Sequence, residues 1–159
     1  MRHTLREDWY FIVPATLIWL SALMVTAWDF VRRHKARFHF RPMNLAGASA
    51  IVAGLAIRLA ARKTLGEHFT YALQTSENHP FIRHGIYQHI RHPGYSGDLL
   101  FQFGVTLWFS SWHGLLIMLL LIPCFVYRIA IEERMLIARF GSDYREYLRR
   151  SKKLIPGLY

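Results

Sequence analysis

The chain has 159 residues, of which 53% are hydrophobic and 19% are charged. Its net charge of +10 raises the question of a nucleic-acid partner, but a nucleic-acid-binding domain gathers its basic residues on one soluble face. Here they flank long apolar runs, which is typical of membrane topology signals and of contact with anionic lipid headgroups. The single cysteine, Cys124, excludes an intrachain disulfide and a multi-cysteine metal site. We therefore expect one integral membrane domain, embedded in the lipid bilayer and without a nucleic-acid partner.

Two apolar runs, uncharged over residues 9–28 and 42–57, predict the first two membrane spans. Residues 9–30 have tryptophans near both ends, where amphipathic rings favour the membrane interfaces. The length of this run and its lack of a small-residue cleavage site argue against a signal peptide. Residues 44–61 are rich in small side chains. Among them, Ala50 and Gly54 are four residues apart and form a face that another helix can approach closely, either within the chain or in a dimer.

A third uncharged run covers residues 99–127 and is too long for one span, because 29 helical residues reach about 44 Å. The sequence SSWHG (residues 110–114) divides it, so we predict a helical hairpin whose first arm starts near Tyr95 and whose second continues past Arg128. Pro123 should kink the second arm. From Ile131 an amphipathic helix leaves the membrane, interrupted at Gly141. The predicted fold is all-α, with about four transmembrane helices.

Residues 63–97 form the only long polar segment between spans, and their prolines and glycines predict a loop with short helical pieces. We divide the single domain, residues 1–159, into two N-terminal spans (1–62) and a catalytic part (63–159). Four crossings place the N-terminus, this loop and the C-terminus on one side, with fifteen of the twenty Lys and Arg residues. By the positive-inside rule that side faces the cytoplasm, although the basic link over residues 31–41 conflicts with this orientation.

Residues 79–97 of the polar loop hold four histidines, which raise the question of a metal site: His79, His84, His89 and His92. Helical metal ligands are usually three or four residues apart, and only the last two histidines have that spacing. No carboxylate pattern completes a site, so we expect no metal. The sequence also lacks GxSxG, HExxH and GxGxxG, which argues against a hydrolase, a zinc protease and a dinucleotide-binding fold.

Arg128 and Glu132 lie at the end of the hairpin, four residues apart and hence on one helix face. One interpretation is a structural ion pair at the membrane boundary. Alternatively, the pair orients a ligand of mixed charge, because Arg grips a carboxylate with two hydrogen bonds and Glu binds an ammonium group or ribose hydroxyls.

Three motifs carry a resemblance to a known family: HGIY (residues 84–87), RHPGYSG (91–97) and IEERMLIARFGSDYREYLRR (131–150). Together they resemble the isoprenylcysteine carboxyl methyltransferase family of integral membrane enzymes, to which the phospholipid methyltransferases are related. The resemblance extends from about residue 65 to the C-terminus. It implies that a cytosolic loop and C-terminal helices form a pocket for S-adenosylmethionine, which is converted to S-adenosylhomocysteine without a metal.

The resemblance also implies roles for individual residues. Arg128 corresponds to the substrate-contacting arginine of the family, and Arg128 and Glu132 are the expected catalytic residues. The residues expected to hold the cofactor are Gln74, His79, Pro80, Phe81, Ile82, Tyr87, His92, Pro93, Gly94, Tyr95 and Glu132.

The expected activity is methyl transfer to a lipophilic acceptor that enters from the membrane, with a carboxylate such as that of an isoprenylcysteine favoured. A phospholipid amine or a thiol is the alternative acceptor. A further alternative is a non-enzymatic membrane scaffold or a metal- or haem-binding protein. We expect a multi-pass protein, monomeric or homodimeric. Its compact length suggests a prokaryotic cytoplasmic membrane, with the active site facing the cytoplasm.

Overall fold

The computed structural model describes residues 2–33, 40–66 and 81–155. Over these ranges the regular structure is helical, with one isolated β-bridge. The predicted all-α class is therefore confirmed. The elements in chain order are α1 (Arg2–Arg33), α2 (Pro42–Leu65), a 3₁₀ helix (Gly85–Gln88), α3 (Pro93–Trp108), α4 (Trp112–Met118) and α5 (Leu121–Arg150).

Three stretches of the described chain are long and apolar enough to cross a membrane: Trp9–Arg32, Pro42–Leu65 and Trp112–Arg150. The first two contain the predicted N-terminal spans, and the third contains the second arm of the hairpin. The protein is thus an integral membrane protein. Helix α3 has 16 residues, about 24 Å at the usual helical rise, so the total of four crossings stays a prediction.

Helices α2 and α3 pack closely through glycines. A Cβ atom on Gly54 would lie 2.6 Å from the backbone nitrogen of Phe101, and one on Gly97 would lie 2.7 Å from the carbonyl oxygen of Gly54. Seven residues earlier on α2, Gly47 meets the backbone of Gly104 in the same way. Gly54 thus belongs to a close-packing face, as predicted. The second small residue of that face is Gly47, and the helix that approaches is α3 of the same chain.

The predicted hairpin is present, and its turn falls at the SSWHG sequence. Helix α3 ends at Trp108, and α4 begins at Trp112. The Ser111 hydroxyl accepts a hydrogen bond from the Gly114 amide (3.0 Å) and so caps α4. The second arm is interrupted after Met118, before Pro123 rather than at it. The proline lies in the first turn of α5, where its missing amide is tolerated.

Helix α1 packs against both arms of the hairpin. A cluster of Ala22 with Met118, Leu121 and Phe125 forms its buried centre. Side chains of α1 at helical spacing complete the contact: Phe11, Ala15 and Ile18. The predicted interruption of the last helix also occurs, since Gly141 has a left-handed φ of 54° inside α5.

Beyond α5, residues 151–155, which we call the C-terminal strap, run beside the start of α3. The amides of Arg91 and His92 donate to the carbonyls of Lys152 (2.8 Å) and Lys153 (3.1 Å). The Ser96 hydroxyl donates to the carbonyl of Leu154 (2.6 Å). These bonds attach the strap to the loop that carries the RHP motif.

Candidate active site

The candidate site is built where α3 begins. Pro93 occupies the first helical position, where its fixed φ favours a helix start, and it is buried. Next to it, Gly94 leaves open space, because a Cβ atom there would meet no atom within 4 Å. This start of the helix directs Tyr95 toward α5.

The Tyr95 hydroxyl links the two charged residues singled out from the sequence. It donates to Oε2 of Glu132 (2.7 Å) and accepts from Nε of Arg128 (3.2 Å). The two charged side chains therefore share one helix face, as predicted, and a tyrosine joins them. Arg128 is only 3% exposed, whereas the Glu132 side chain is 30% exposed. A buried guanidinium needs such polar partners, and the more open carboxylate remains accessible to a ligand.

His92 is a buried support of this network. It is 4% exposed, and its ring stacks on Tyr95 with the ring centres 5.6 Å apart. Its Nδ1 is 3.8 Å from Oε2 of Glu132, and its Nε2 is 3.5 Å from Oε1 of Glu133. The histidine thus lies between two carboxylates, where it fixes the Tyr95 ring.

Sequence reasoning missed the ion pair behind the site. Nε of Arg91 donates to Oε1 of Glu133 (2.8 Å), and its Nη1 donates to the carbonyls of Leu148 (3.2 Å) and Ser151. Lys153 approaches the same carboxylate, with its Nζ 3.7 Å away. The signal was present, because Arg91 precedes the HP pair and Glu133 is the second acid of the EE pair. These contacts join the RHP loop, α5 and the C-terminal strap.

Phe81 forms a neighbouring aromatic wall with Phe140 and Tyr147, and the backbone of Tyr87 is hydrogen-bonded to it. The Phe81 ring stacks on Phe140 (5.0 Å between ring centres) and contacts Tyr147 edge-on (5.4 Å). The Tyr147 hydroxyl donates to the carbonyl of Tyr87. Burial raises the pKa of the Tyr87 phenol, and the nearby Glu132 carboxylate and Tyr147 raise it further. The Tyr87 phenol is thus neutral at physiological pH, as an ordinary tyrosine is, and its hydroxyl is able to donate a hydrogen bond.

The structure brings together most of the residues expected to bind the cofactor, together with Arg128, which is expected to contact the acceptor. Those around the start of α3 and the facing side of α5 are Tyr87, His92, Pro93, Gly94, Tyr95, Arg128 and Glu132. Phe81 lies on the aromatic wall, with the half-buried Ile82 next to it. The remaining three, Gln74, His79 and Pro80, lie outside the described residues.

A further neighbour of the site comes from α1. The guanidinium carbon of Arg128 lies 5.2 Å from the centre of the Phe11 ring. Nothing in the local sequence indicates this contact, because Phe11 and Arg128 are far apart along the chain. Within residues 2–33, 40–66 and 81–155, no group of three or more His, Cys, Asp and Glu side chains is placed to hold a metal ion.

Comparison with known proteins identifies a family. The model of the phospholipid methyltransferase family matches residues 43–143. The chain is 32% identical over 117 residues to a relative from Oryza sativa, and 32% identical over 123 residues to the protein-S-isoprenylcysteine O-methyltransferase of Dictyostelium discoideum. These alignments cover 72% and 71% of this chain, and 61% and 49% of the relatives.

A solved structure is also similar. It is that of a eukaryotic intramembrane Ras methyltransferase, isoprenylcysteine carboxyl methyltransferase, with a TM-score of 0.78 and 25% identity. The similarity covers 90% of this chain and 52% of that one, so the chain spans roughly half the length of such relatives. The resemblance to isoprenylcysteine carboxyl methyltransferases is confirmed, and the chain belongs to the phospholipid methyltransferase family.

Proposed function

We propose that this protein transfers a methyl group from S-adenosylmethionine to the carboxylate of a lipophilic acceptor, such as an isoprenylcysteine. The observation that carries the proposal is Arg128, a buried guanidinium held beside Glu132 by the Tyr95 hydroxyl. A cation enclosed by apolar helices suits an anionic group on a hydrophobic acceptor. The name of the relative from Dictyostelium discoideum and that of the protein in the solved structure support the same acceptor class.

The donor set of the site fits S-adenosylmethionine. That cofactor carries a sulfonium, an ammonium group and ribose hydroxyls, all of which a carboxylate binds well. Glu132 offers a partly exposed carboxylate, Tyr87 offers a neutral hydroxyl, and Gly94 leaves space beside the backbone. We assign the cofactor to these residues together with Phe81, Ile82, His92, Pro93 and Tyr95, and to Gln74, His79 and Pro80 from the sequence resemblance.

The chain contributes mainly position and exclusion of water. When bound, S-adenosylmethionine supplies a methyl carbon that a carboxylate oxygen attacks as the carbon–sulfur bond breaks, which leaves S-adenosylhomocysteine. A carboxylate is already deprotonated, so no general base is required. Arg128 aligns the acceptor carboxylate, and the surrounding helices exclude water, which strengthens the electrostatic interactions inside the site.

The proposed orientation in the membrane follows from the distribution of charge. The face with the start of α3 and the end of α5 carries most Lys and Arg residues and is assigned to the cytoplasm. The acceptor reaches it from the bilayer, between helices. The relatives named above are eukaryotic, so they lend no support to a prokaryotic source. A monomer or a homodimer is consistent with this arrangement.

Calorimetric titration tests the cofactor assignment. Purified protein should bind S-adenosylmethionine stoichiometrically, and Glu132→Gln should weaken binding about tenfold because a charge-assisted hydrogen bond is lost. Glu146→Gln, on the exposed side of α5, is the matched control. Absence of binding at millimolar cofactor, with stoichiometric metal or haem in the preparation, would instead support the non-enzymatic alternative.

Labelling of a host lipid extract tests the acceptor class. Incubation with methyl-labelled cofactor should give label that is released by mild base, as expected of a methyl ester. Base-stable label would indicate an amine or a thioether. An amine acceptor gains nothing from a guanidinium, so in that case Arg128→Ala would be mild and Glu132→Ala severe.

A further inference from the structure

We propose that Phe11 of α1 is a positioning residue for Arg128, and that α1 thereby forms part of the acceptor site. The proposal rests on the function proposed above, in which Arg128 receives the acceptor carboxylate. It concerns a helix that lies before residues 43–143, the region matched by the family model.

Phe11 and Arg128 are in direct contact. The guanidinium carbon of Arg128 lies over the Phe11 ring, 5.2 Å from its centre. At this distance the negative face of the ring attracts the cation, most strongly where water is excluded, and Arg128 is 3% exposed. Phe11 therefore stabilises the charged guanidinium inside the helix bundle.

Phe125 fixes the orientation of the Phe11 ring. The Phe11 ring meets Phe125 edge-on, with 5.3 Å between ring centres and 81° between ring planes. Phe125 in turn contacts Tyr95, whose ring centre is 5.5 Å away. Such edge-to-face pairs are favourable arrangements of aromatic rings. The ring beneath Arg128 is thus held by the side chains that also position the Tyr95 hydroxyl.

Two contacts fix the plane of the Arg128 guanidinium. Phe11 contacts Arg128 from one side, and the Tyr95 hydroxyl accepts from its Nε (3.2 Å). Two contacts from different elements limit rotation of the planar group. Recognition of a carboxylate through two parallel hydrogen bonds depends on that plane. Loss of Phe11 should therefore weaken binding of the acceptor more than binding of the cofactor.

The kinetic test compares Phe11→Leu with Ile18→Ala in the full-length protein in lipid nanodiscs. Ile18 packs on the same face of α1 near the buried centre of the hairpin, seven residues from Phe11, which makes it a control for lost packing. With S-farnesylcysteine as acceptor, Phe11→Leu should raise the acceptor KM about tenfold while the Kd for S-adenosylmethionine stays unchanged. Ile18→Ala should change neither.

Fluorinated phenylalanines at position 11 separate electrostatics from volume. Progressive fluorination weakens the negative face of the ring with little change in its size, so the acceptor KM should rise with each added fluorine. If the KM depends only on the presence of a bulky ring, the cation–ring interaction proposed here is wrong.

Chemical labelling of Arg128 without acceptor tests the role of Phe11 independently of the proposed function. Phenylglyoxal modifies arginine, and mass spectrometry follows its rate at Arg128. The rate should rise in Phe11→Leu and stay at the wild-type value in Ile18→Ala. If wild type fails to methylate S-farnesylcysteine, the proposed function fails, and the labelling rates alone then decide whether Phe11 positions Arg128. Equal rates in both variants, or an unchanged acceptor KM in active protein, would overturn the proposal.

Discussion

Tyr95 places one hydroxyl between the two oppositely charged side chains of α5. It donates to Glu132 (2.7 Å) and accepts from Arg128 (3.2 Å), so it sets the distance between the group assigned to the cofactor and the group assigned to the acceptor. In a direct ion pair the two charged groups would occupy each other. The intervening hydroxyl leaves each charged group available to bind a ligand.

Tyr95→Phe should preserve the ring contacts but remove this link. We expect kcat/KM to fall about tenfold or more, since a hydrogen bond to a charged group contributes roughly 1.5–3 kcal/mol. Methyl transfer assays with each substrate varied in turn measure the loss. Tyr127→Phe, at an exposed position on α5, is the control and should be neutral. Equal activity of Tyr95→Phe and wild type would show that the hydroxyl has no role.

Residue types and spacing predicted part of this site. Helical periodicity placed Arg128 and Glu132 on one face, because that relation is local. The link through Tyr95 depends on how α3 packs against α5, over separations of 33 and 37 residues. Phe11 is farther still from Arg128 along the chain. Local sequence cannot identify the side chain on the other side of such a contact, so the role of Phe11 was not predicted.

At the scale of elements, the C-terminal strap joins the RHP loop to α5 beside the site. Its backbone pairs with the RHP loop, and Arg91 connects it to Glu133 on α5. The side chains of this ion pair are largely buried, so both partners depend on each other.

Arg91→Ala should destabilise the protein by about 3 kcal/mol, because Glu133 and the Ser151 carbonyl then lose a buried donor. Thermal unfolding in detergent, together with hydrogen exchange over residues 151–155, measures the effect. Arg149→Ala, on the exposed side of α5, should change neither. A strap that stays protected in Arg91→Ala would contradict this role of the ion pair.

The contact of α2 with α3 gives a second prediction at this scale. Gly54→Ala should cost about 2 kcal/mol or more, because the new Cβ would lie 2.6 Å from backbone of α3 and force the helices apart. Unfolding in detergent measures the change in stability. Ala53→Leu, on the exposed face of the same helix, serves as control. A neutral Gly54→Ala would mean that the helices pack less closely than described.

At the scale of the whole molecule, hydropathy predicted the long helices and the hairpin because both depend on local sequence. It did not reveal that Gly47 is the second glycine against α3, since small residues at several spacings on α2 offer comparable faces. The hairpin tip was predicted from SSWHG, but its connection to α1 was not. There the Ser111 hydroxyl donates to Asp29 (2.7 Å), and His113 lies 3.0 Å from the same carboxylate.

The assembled molecule brings the start of α3, the end of the hairpin and α1 around one buried arginine. We propose that this arginine receives a carboxylate while Glu132 serves the cofactor. Both roles require the hairpin to return α5 to the loop that carries the RHP motif, so they depend on the fold as a whole.

The most direct test uses purified protein in nanodiscs with labelled S-adenosylmethionine and two acceptors, S-farnesylcysteine and phosphatidylethanolamine. We predict base-labile label on S-farnesylcysteine, and a loss of about 30-fold or more in its kcat/KM in Arg128→Ala, as expected when a charged hydrogen-bond partner is removed. Cofactor affinity should stay unchanged in that variant. Base-stable label on phosphatidylethanolamine, with Arg128→Ala as active as wild type, would contradict the account.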